Sequence, residues 1–323
     1  MIGRATSDLH LSPRTADYVF AALRELRDDA EERGGFTVLV GDILDQPRTV
    51  DMPTYNRLRD LLRKWPGDGV YVVVGNHDQY DGERNALEAL DGGACRVVSQ
   101  PTVTDIGVMV PYLDPSVFWE RTAALSAPKD VAWWTHQGWK GAYLNNMRRD
   151  REGLDCGRMN ASICVSGHYH APQNLGRILY CGSPYQTTFA EEGQVKGWLA
   201  WDGSIRPVRV PYETVRAPKH WTVEWSPGDD APKLPDGWRE GDKVRIRTTA
   251  SRDAVKRSNV LSGALSGASI LAAPRLTNRV AIDDGASPRE AVRSYVAAVF
   301  GTDPNRPDPA TLDEWARESD LWG

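Results

Sequence analysis

The sequence predicts a layered α/β protein with a smaller appended domain, and three observations support that prediction. The chain has 323 residues, which is more than one hydrophobic core usually serves. Hydrophobic residues make up 41% and charged residues 26%, as in an ordinary globular protein, which argues against global disorder. Short apolar runs alternate with amphipathic helical patterns along the first half of the chain, as expected for strands that are covered by helices.

Four apolar runs of strand length end abruptly in glycine or in a polar side chain. They occupy residues 36–40 (FTVLV), 70–74 (VYVVV), 131–135 (VAWWT) and 162–166 (SICVS). Each run is typical of a buried strand. Because the ligands of layered α/β proteins bind at the carboxyl ends of the strands, the polar residues after these runs predict the functional site.

The opening segment, residues 1–7 (MIGRATS), departs from this pattern. Gly3 and Arg4 stand where an apolar run is expected. The segment therefore predicts a weak first strand, although it leads directly into the polar motif Asp8-Leu9-His10.

Two amphipathic patterns predict helices between the strands. The first covers residues 13–33, with Ser12 as its N-cap, and the second covers residues 53–64. Alternating apolar and polar residues at 195–201 and 205–210 predict two further strands.

A segment rich in proline, glycine and aspartate, residues 226–242, predicts a linker. The predicted boundary separates a domain of residues 1–225 from a domain of residues 226–323. Strand and helix patterns alternate beyond the linker, which predicts a small α/β domain. Its strands are predicted at 243–248 and 269–273, and its helices at 252–265, 288–300 and 310–318.

Several classes of protein are disfavoured by composition. No apolar stretch approaches the roughly 18 to 20 residues that cross a bilayer, and no apolar signal segment opens the chain, so we expect a cytoplasmic protein with no membrane partner. The four cysteines lack CxxC spacing and are expected to be reduced. A net charge of −5 argues against a generally basic nucleic-acid surface, although a local groove could still attract phosphate.

Five of the six histidines follow a predicted strand or lie in a short polar motif. A lone histidine is more often a core or surface residue, but five at strand ends favour a metal centre. In the DxH motif, alternate residues leaving a strand point the same way, so Asp8 and His10 can reach one ion, to which His170 returns. Asp42 can bridge two cations through its two oxygens. The predicted ligands are Asp8, His10, Asp42, Asn76, His136, His168 and His170.

The predicted ligand atoms are nitrogen and oxygen without thiolate, which suits Mn²⁺, Fe²⁺ or Zn²⁺. Two such cations would acidify a water molecule and neutralise charge on phosphate oxygens, which predicts hydrolysis of a phosphate ester. His77, beside Asn76, is predicted to protonate the leaving oxygen or to stabilise the transition state. Asp45 or Asp78 is the predicted orienting partner of His77.

The motifs SDLHL, GDILD and GNHD, a single histidine at His136, and GHYH follow one another in residues 7–170. This series resembles the calcineurin-like metallophosphoesterases, in which motifs of this kind occur in the same order. The resemblance implies a four-layer α/β/β/α sandwich and a dinuclear centre with the ligands proposed above.

A second resemblance concerns Tyr180–Glu191 (YCGSPYQTTFAE) and the Lys196-Gly197-Trp198 that follows. This segment is similar to the one after GHxH in SbcD-type DNA repair nucleases of bacteria and their phage relatives. The resemblance implies a Mn²⁺-dependent DNA exonuclease and endonuclease of repair and recombination, with a capping domain and an SbcC-type coiled-coil ATPase as partner. Such nucleases usually carry a histidine where this chain has Asp45. The role that this histidine plays in exonuclease action is therefore left open for this chain.

Candidate contacts to substrate are fewer and less specific than the metal ligands. Residues 239–293 hold eleven Lys and Arg against six Asp and Glu, which fits a surface facing phosphate or an ordinary solvated face. Two alternatives to a DNA nuclease stay open: a phosphoesterase for a small phosphodiester or a phosphoprotein, whose C-terminal domain makes a homodimer, and a DNA-tethering scaffold with structural metal. The predicted substrate contacts are Arg148, Arg149, Tyr185 and Gln186.

Overall fold

The structure is a computed structural model. It describes residues 2–81, 84–125, 131–144, 148–159, 161–204, 206–225 and 233–248, and the backbone of the strand at 269–274. The chain divides into two units, of which the first comprises Met1–Thr222, Pro235–Val244 and Gly267–Ser269. The helices predicted at 252–265, 288–300 and 310–318 lie outside the described residues, and the predicted boundary after residue 225 stays a prediction.

The first sheet has six strands in the order β12-β11-β1-β2-β3-β4. Strands β1 to β4 are parallel, so their carboxyl ends lie along the same edge, whereas β11 and β12 run antiparallel to their neighbours. The strands are β1 (Ile2–Thr6), β2 (Phe36–Val40), β3 (Val70–Val73), β4 (Cys95–Val98), β11 (Gly197–Asp202) and β12 (Val208–Pro211).

The second sheet also has six strands, in the order β5-β6-β7-β8-β10-β9. Its strands β6, β7, β8 and β10 are parallel, and His136 pairs in register with Gly167 at their carboxyl ends. The strands are β5 (Thr102–Thr104), β6 (Gly107–Val110), β7 (Ala132–His136), β8 (Ile163–Gly167), β9 (Gln173–Leu175) and β10 (Ile178–Tyr180). A third sheet contains β13 (His220–Glu224), β14 (Lys243–Thr248) and β15 (Ser269–Pro274).

The described residues contain three α-helices: α1 (Ala16–Arg33), α2 (Met52–Leu62) and α3 (Pro115–Ala123). The predicted start of α1 at residue 13 is wrong by three residues. The hydroxyl of Thr15 accepts from the Ser12 amide and donates to the His10 carbonyl, both at 2.8 Å, so this segment forms a turn before the helix. Asp51 caps α2 by accepting from the Thr54 amide at 2.9 Å. Among the described residues, no helix combines the length and the apolar character that a membrane crossing requires.

Three apolar clusters lie between successive layers. The first packs α1 and α2 against one face of the first sheet. The second lies between the two sheets, where Val38 and Trp134 are fully buried. The third places Phe118 of α3 on the outer face of the second sheet. The predicted α/β/β/α sandwich is therefore confirmed.

The weak first strand expected from Gly3 and Arg4 is instead an inner strand, paired with β2 and β11. Arg4 is fully buried, yet its guanidinium donates to Asp29 Oδ2 at 2.7 Å and to the Gly34 carbonyl at 2.6 Å. A buried charge is tolerated when it is paired and hydrogen-bonded in this way. Gly3 lies against the Phe36 ring, where a Cβ atom would come within 2.3 Å of Phe36 Cζ.

Candidate metal centre and active site

The predicted ligands lie at the carboxyl ends of parallel strands from both sheets. Asp8 and His10 follow β1, Asp42 follows β2, and Asn76 comes three residues after the end of β3. From the second sheet, His136 ends β7, while His168 and His170 follow β8. Because the sheets face each other, these ends form one cluster. Three groups of described residues place ligand atoms within 4.8 Å of one another, so each could hold a metal ion: Asp8, His10 and His170; His10, Asp42 and His77; Asp8, Asp42 and His136.

The backbone is unusual at this edge. Asp8, His10, Asp42 and His168 have positive φ angles of 53°, 45°, 52° and 88°, and no other described non-glycine residue has one. Such conformations cost free energy and persist only where the surroundings enforce them. The Asp8 amide donates to the Gly41 carbonyl and the His10 amide to the Asp42 carbonyl, both at 3.0 Å, which holds the two loops together.

His136 presents an unpaired nitrogen to the centre. Its ring is fully buried, and Nδ1 donates to the Val40 carbonyl at 2.7 Å. Its Nε2 has no hydrogen-bond partner and lies 3.2 Å from Asp42 Oδ1. Burial opposes a charge on His136, but the Asp42 carboxylate outweighs it and raises the pKa of His136 to about 9. With this pKa, His136 carries a proton on Nε2 at physiological pH. A cation that binds between Nε2 and the Asp42 carboxylate would replace that proton.

Asp42 belongs to two of the three groups. Burial of Asp42 favours its neutral form, but the charge of His136, its hydrogen bond and the neighbouring histidines His10 and His77 together outweigh burial, so the pKa of Asp42 falls well below its usual range. Its Oδ1 also accepts from the His77 amide at 2.9 Å, and its Oδ2 lies 3.8 Å from His10 Nε2. With one oxygen directed toward each side of the cluster, Asp42 has the placement of a bridging carboxylate.

On the other side of Asp42, His10 Nε2 and His170 Nε2 are 3.1 Å apart. Two nitrogens that bind one ion at about 2.1 Å and at right angles to each other lie about 3 Å apart, so this spacing fits a shared cation. Asp8 Oδ1 is 4.0 Å from His170 Nε2. Burial lowers the pKa of His10 to about 3, which keeps this ring neutral and able to bind metal.

His168 and Asn76 are joined directly, with His168 Nδ1 donating to Asn76 Oδ1 at 2.9 Å. The His168 ring lies beside the His136 ring, with centroids 5.4 Å apart. His168 is in none of the three groups. Burial lowers the pKa of His168 to about 4, so the ring is neutral at physiological pH.

His77 is exposed at the mouth of the cluster. Its Nδ1 donates to the backbone carbonyl of Asp45 at 3.0 Å, so Nε2 is left to face a substrate. The carboxylate of Asp45 lies instead 3.7 Å from His10 Nδ1. The predicted orienting role of Asp45 therefore falls to its main chain.

Asp78 is fully buried beneath the loops that follow β2 and β3. Its carboxylate accepts from the Leu44 amide at 2.9 Å and from the Gly75 amide at 2.8 Å. Burial, together with the charge of Asp42, raises the pKa of Asp78 to about 7. In this structure Asp78 holds the backbone on either side of the centre and does not orient the His77 ring through a hydrogen bond.

The predicted substrate contacts differ in their placement. Tyr185 is buried and donates to the Leu9 carbonyl at 2.9 Å, while Gln186 Oε1 accepts from the His220 amide at 2.8 Å. Tyr185 and Gln186 line a cavity of about 320 Å³. Arg149 is exposed and donates to the Tyr143 hydroxyl at 2.7 Å.

The role of the four predicted residues as substrate contacts stays a prediction. Arg148 contributes its carbonyl to a hydrogen bond with the Leu144 amide at 2.8 Å. Sequence reasoning also missed a hydrogen-bonded set of polar residues behind His170, which includes Thr187, Glu191 and Lys196. All three belong to the stretch, Tyr180–Glu191 with Lys196-Gly197-Trp198, that resembles SbcD-type nucleases.

Comparisons with known proteins agree with this geometry at the level of the family. No curated protein matches the chain significantly. Among solved structures, Yfce, a phosphoesterase from E. coli, is 17% identical, with 66% of this chain and 100% of that chain covered and a TM-score of 0.33. A single mutant of Vps29 from Entamoeba histolytica is 16% identical, with the same coverage and a TM-score of 0.30. Likenesses this loose carry no argument about function.

The model of the calcineurin-like phosphoesterases matches residues 5–172. The match spans more than half of the chain and contains all seven predicted ligands together with His77. The chain therefore belongs to the calcineurin-like phosphoesterase family, whose members are metal-dependent hydrolases.

Proposed function

We propose that the protein is a two-metal-dependent DNA nuclease of the SbcD type that hydrolyses phosphodiester bonds in DNA repair and recombination. The observation that carries hydrolysis is the position of Asp42, shared by two groups of potential metal ligands, with His77 exposed beside it. The proposal of DNA as the substrate rests on the segment Tyr180–Glu191 and its resemblance to SbcD-type nucleases.

In the proposed site, Asp8, His10 and His170 hold one cation, and Asn76, His136 and His168 hold the other, with Asp42 between them. When bound, two divalent cations, which we propose are Mn²⁺, acidify a water molecule and neutralise charge on the phosphate oxygens. The burial of His10 and His168 keeps their rings neutral, so that their nitrogens are available as ligands.

His77 is the proposed proton donor. The Asp45 carbonyl fixes Nδ1 of His77 as a donor, which directs Nε2 away from the loop and toward bound substrate. In its protonated form, Nε2 can give a proton to the leaving oxygen as the phosphodiester bond breaks. The exposure of this histidine supports a phosphodiester within a polymer backbone as the substrate.

The proposal also covers the partner protein, the contacts to the DNA backbone and the location in the cell. We propose an SbcC-type coiled-coil ATPase as the partner, with residues 226–323 as a capping domain that selects DNA ends. Arg148 and Arg149 are proposed contacts for the DNA backbone on the exposed loop near Tyr143. Action inside the cytoplasm is proposed from the sequence, in keeping with a DNA substrate.

The test is an assay of the full-length protein with Mn²⁺ on linear duplex DNA, single-stranded DNA and a chromogenic phosphodiester. Cleavage of DNA that is lost on chelation and in His77→Ala supports the proposal. Turnover of the chromogenic ester alone would overturn the nuclease assignment and favour a small phosphodiester or a phosphoprotein as substrate. Binding of DNA without any hydrolysis would indicate a tethering scaffold in which the metal is structural.

A further inference from the structure

We infer that a hydrogen-bonded relay of Glu191, Thr187 and Lys196 positions His170 and sets the affinity of the site for one of its two cations. This inference rests on the proposed two-metal site, and it assigns a positioning role to residues that were first noted for a resemblance to nucleases. Its support is a chain of hydrogen bonds that begins on the side of the His170 ring away from the cluster.

The two nitrogens of His170 have different surroundings. Nε2 faces the cluster, 3.1 Å from His10 Nε2. Nδ1 faces the other way and lies 2.8 Å from the hydroxyl oxygen of Thr187. The ring can bind metal through Nε2 only if the proton of the neutral imidazole resides on Nδ1.

Thr187 determines where that proton lies. A threonine hydroxyl has one proton to donate and can accept through its lone pairs. That proton is directed to Glu191 Oε1, 2.5 Å away, and a carboxylate can only accept. The Thr187 oxygen must therefore accept from His170 Nδ1, so the relay selects the tautomer whose Nε2 lone pair points at the cluster.

Glu191 is held in turn by several donors. It is only 4% exposed, and its Oε1 also accepts from the amides of Thr187 and Thr188, both at 3.2 Å. Its Oε2 accepts from Lys196 Nζ at 2.6 Å and from Ser183 Oγ at 3.3 Å. Lys196 and Glu191 thus form an ion pair in which the Glu191 carboxylate is surrounded by donors, and it offers only acceptor oxygens to the Thr187 hydroxyl.

Lys196 also acts on the main chain of His170. Its Nζ donates to the His170 carbonyl at 2.8 Å, and the Ser183 amide donates to the same carbonyl at 3.2 Å. One buried ion pair thus fixes both the ring and the backbone of His170. Partners of this kind behind a metal ligand typically change metal affinity by about 10- to 100-fold when they are removed.

A purely structural role is the competing interpretation. Glu191 closes a capping box with Thr188 at the start of a short 3-10 helix, Phe189–Glu191. If that cap were its whole contribution, loss of the Thr187 hydroxyl would lower stability and leave metal affinity unchanged. The two interpretations therefore differ in a binding measurement.

The experiment measures Mn²⁺ binding to the full-length protein by isothermal titration calorimetry. Thr187→Val removes the relay at nearly constant volume, and we expect one of the two ions to bind 10- to 100-fold more weakly while the other is unaffected. Thr187→Ser restores the hydroxyl and is expected to restore the affinity. Thr122→Val is the matched control, because Thr122 is a buried threonine whose hydroxyl donates to the Phe118 carbonyl in α3.

Activity on the chromogenic ester gives a second readout. Thr187→Val is expected to need more Mn²⁺ for half-maximal activity and to reach the wild-type kcat when Mn²⁺ is saturating. In Glu191→Gln the new amide can donate as well as accept, so the Thr187 hydroxyl need no longer accept from His170. We expect this variant to bind the same ion more weakly, and it serves as the test if Thr187→Val does not fold. Wild-type affinity for both ions in either folded variant would overturn the inference. If the wild-type protein binds two ions but cleaves no DNA, the nuclease proposal fails while this comparison still decides the relay.

Discussion

The backbone amide of His168, just after β8, donates a hydrogen bond of 3.0 Å to Asp8 Oδ1, just after β1. A residue of the second sheet is thereby tied to a residue of the first, and the bond between His136 Nδ1 and the Val40 carbonyl makes a second such link. The candidate metal centre thus lies where the two sheets are hydrogen-bonded to each other. A cation bound there would join both sheets, which leads to the first prediction.

Removal of metal is expected to lower the stability of the whole sandwich. A ligand that binds only the native state at a thousand times its Kd contributes about 4 kcal/mol to the free energy of unfolding. Urea unfolding followed by fluorescence, with excess Mn²⁺ and with EDTA, measures the difference. Equal midpoints under the two conditions would mean that no cation bridges the sheets.

Replacement of His77 by alanine is expected to separate chemistry from metal binding. Loss of a general acid typically lowers kcat by about 10²- to 10⁴-fold. Because His77 is exposed, and among the described residues its ring is hydrogen-bonded to the Asp45 carbonyl and in contact with His10, we expect Mn²⁺ stoichiometry and thermal midpoint to stay near wild type. Cleavage at the wild-type rate by the folded, metal-loaded variant would show that His77 is not the acid.

Mn²⁺ affinity is expected to rise with pH up to about pH 9. Asp42 raises the pKa of His136 to about 9 against the opposing effect of burial, so at pH 7 a cation must displace a proton from His136. Each pH unit below 9 then weakens binding about tenfold. Without Mn²⁺, the same pair stabilises the fold below pH 6.5, and this contribution is lost as the pH rises through 9.

Calorimetry in two buffers of different ionisation enthalpy counts the protons that are released on binding. About one proton is expected near pH 7, and His136→Asn is expected to release one fewer. An affinity that does not change between pH 6.5 and 9 would contradict this account.

Two glycine substitutions form a matched pair. Gly41 and Gly176 both have positive φ angles, +81° and +60°, so alanine costs about 1 to 2 kcal/mol of backbone strain at either position. At Gly41 the new Cβ atom would lie 2.1 Å from His136 Nδ1, whereas nothing lies within 4 Å at Gly176. We therefore expect Gly41→Ala to weaken Mn²⁺ binding by more than tenfold and Gly176→Ala to leave it unchanged. Equal affinities in the two variants would exclude this steric effect.

The buried Arg4 permits a prediction about stability alone. Arg4→Met leaves the Gly34 carbonyl without its donor, which typically costs about 1 to 3 kcal/mol. Arg33→Met is the matched control, since Arg33 binds the same Asp29 carboxylate from a more exposed position, where such pairs are worth less than about 1 kcal/mol. Chemical denaturation of both variants measures the difference, and an equal loss would contradict the assigned importance of burial.

The cluster could be predicted from sequence because its members follow apolar runs. Parallel strands bring their carboxyl ends to one edge, so the apolar runs before Asp42 and Asn76 predicted that these residues lie side by side. The run before His136 gave the same prediction for the second sheet, whereas Asp8 was recognised from its DxH motif because the strand before it is less apolar. Glu191 carried no such signal, since its partners are set by a loop whose path follows no periodic pattern. The hydrogen bond from His77 to the Asp45 carbonyl could not be predicted either. Every residue has a backbone carbonyl, and the sequence does not show which one accepts.

Strand β1 pairs on one side with β2 and on the other with β11, where Gly3 lies opposite Trp201. During synthesis, β1 therefore emerges almost two hundred residues before β11, one of its two neighbours in the sheet. At a typical elongation rate of 5 to 20 residues per second, this delay is about 10 to 40 s. The strand that leads into Asp8 and His10 can pair with β11 only when most of the chain has been synthesised. In a nascent fragment that ends before β11, the strand before these two predicted ligands therefore lacks one of its two neighbours.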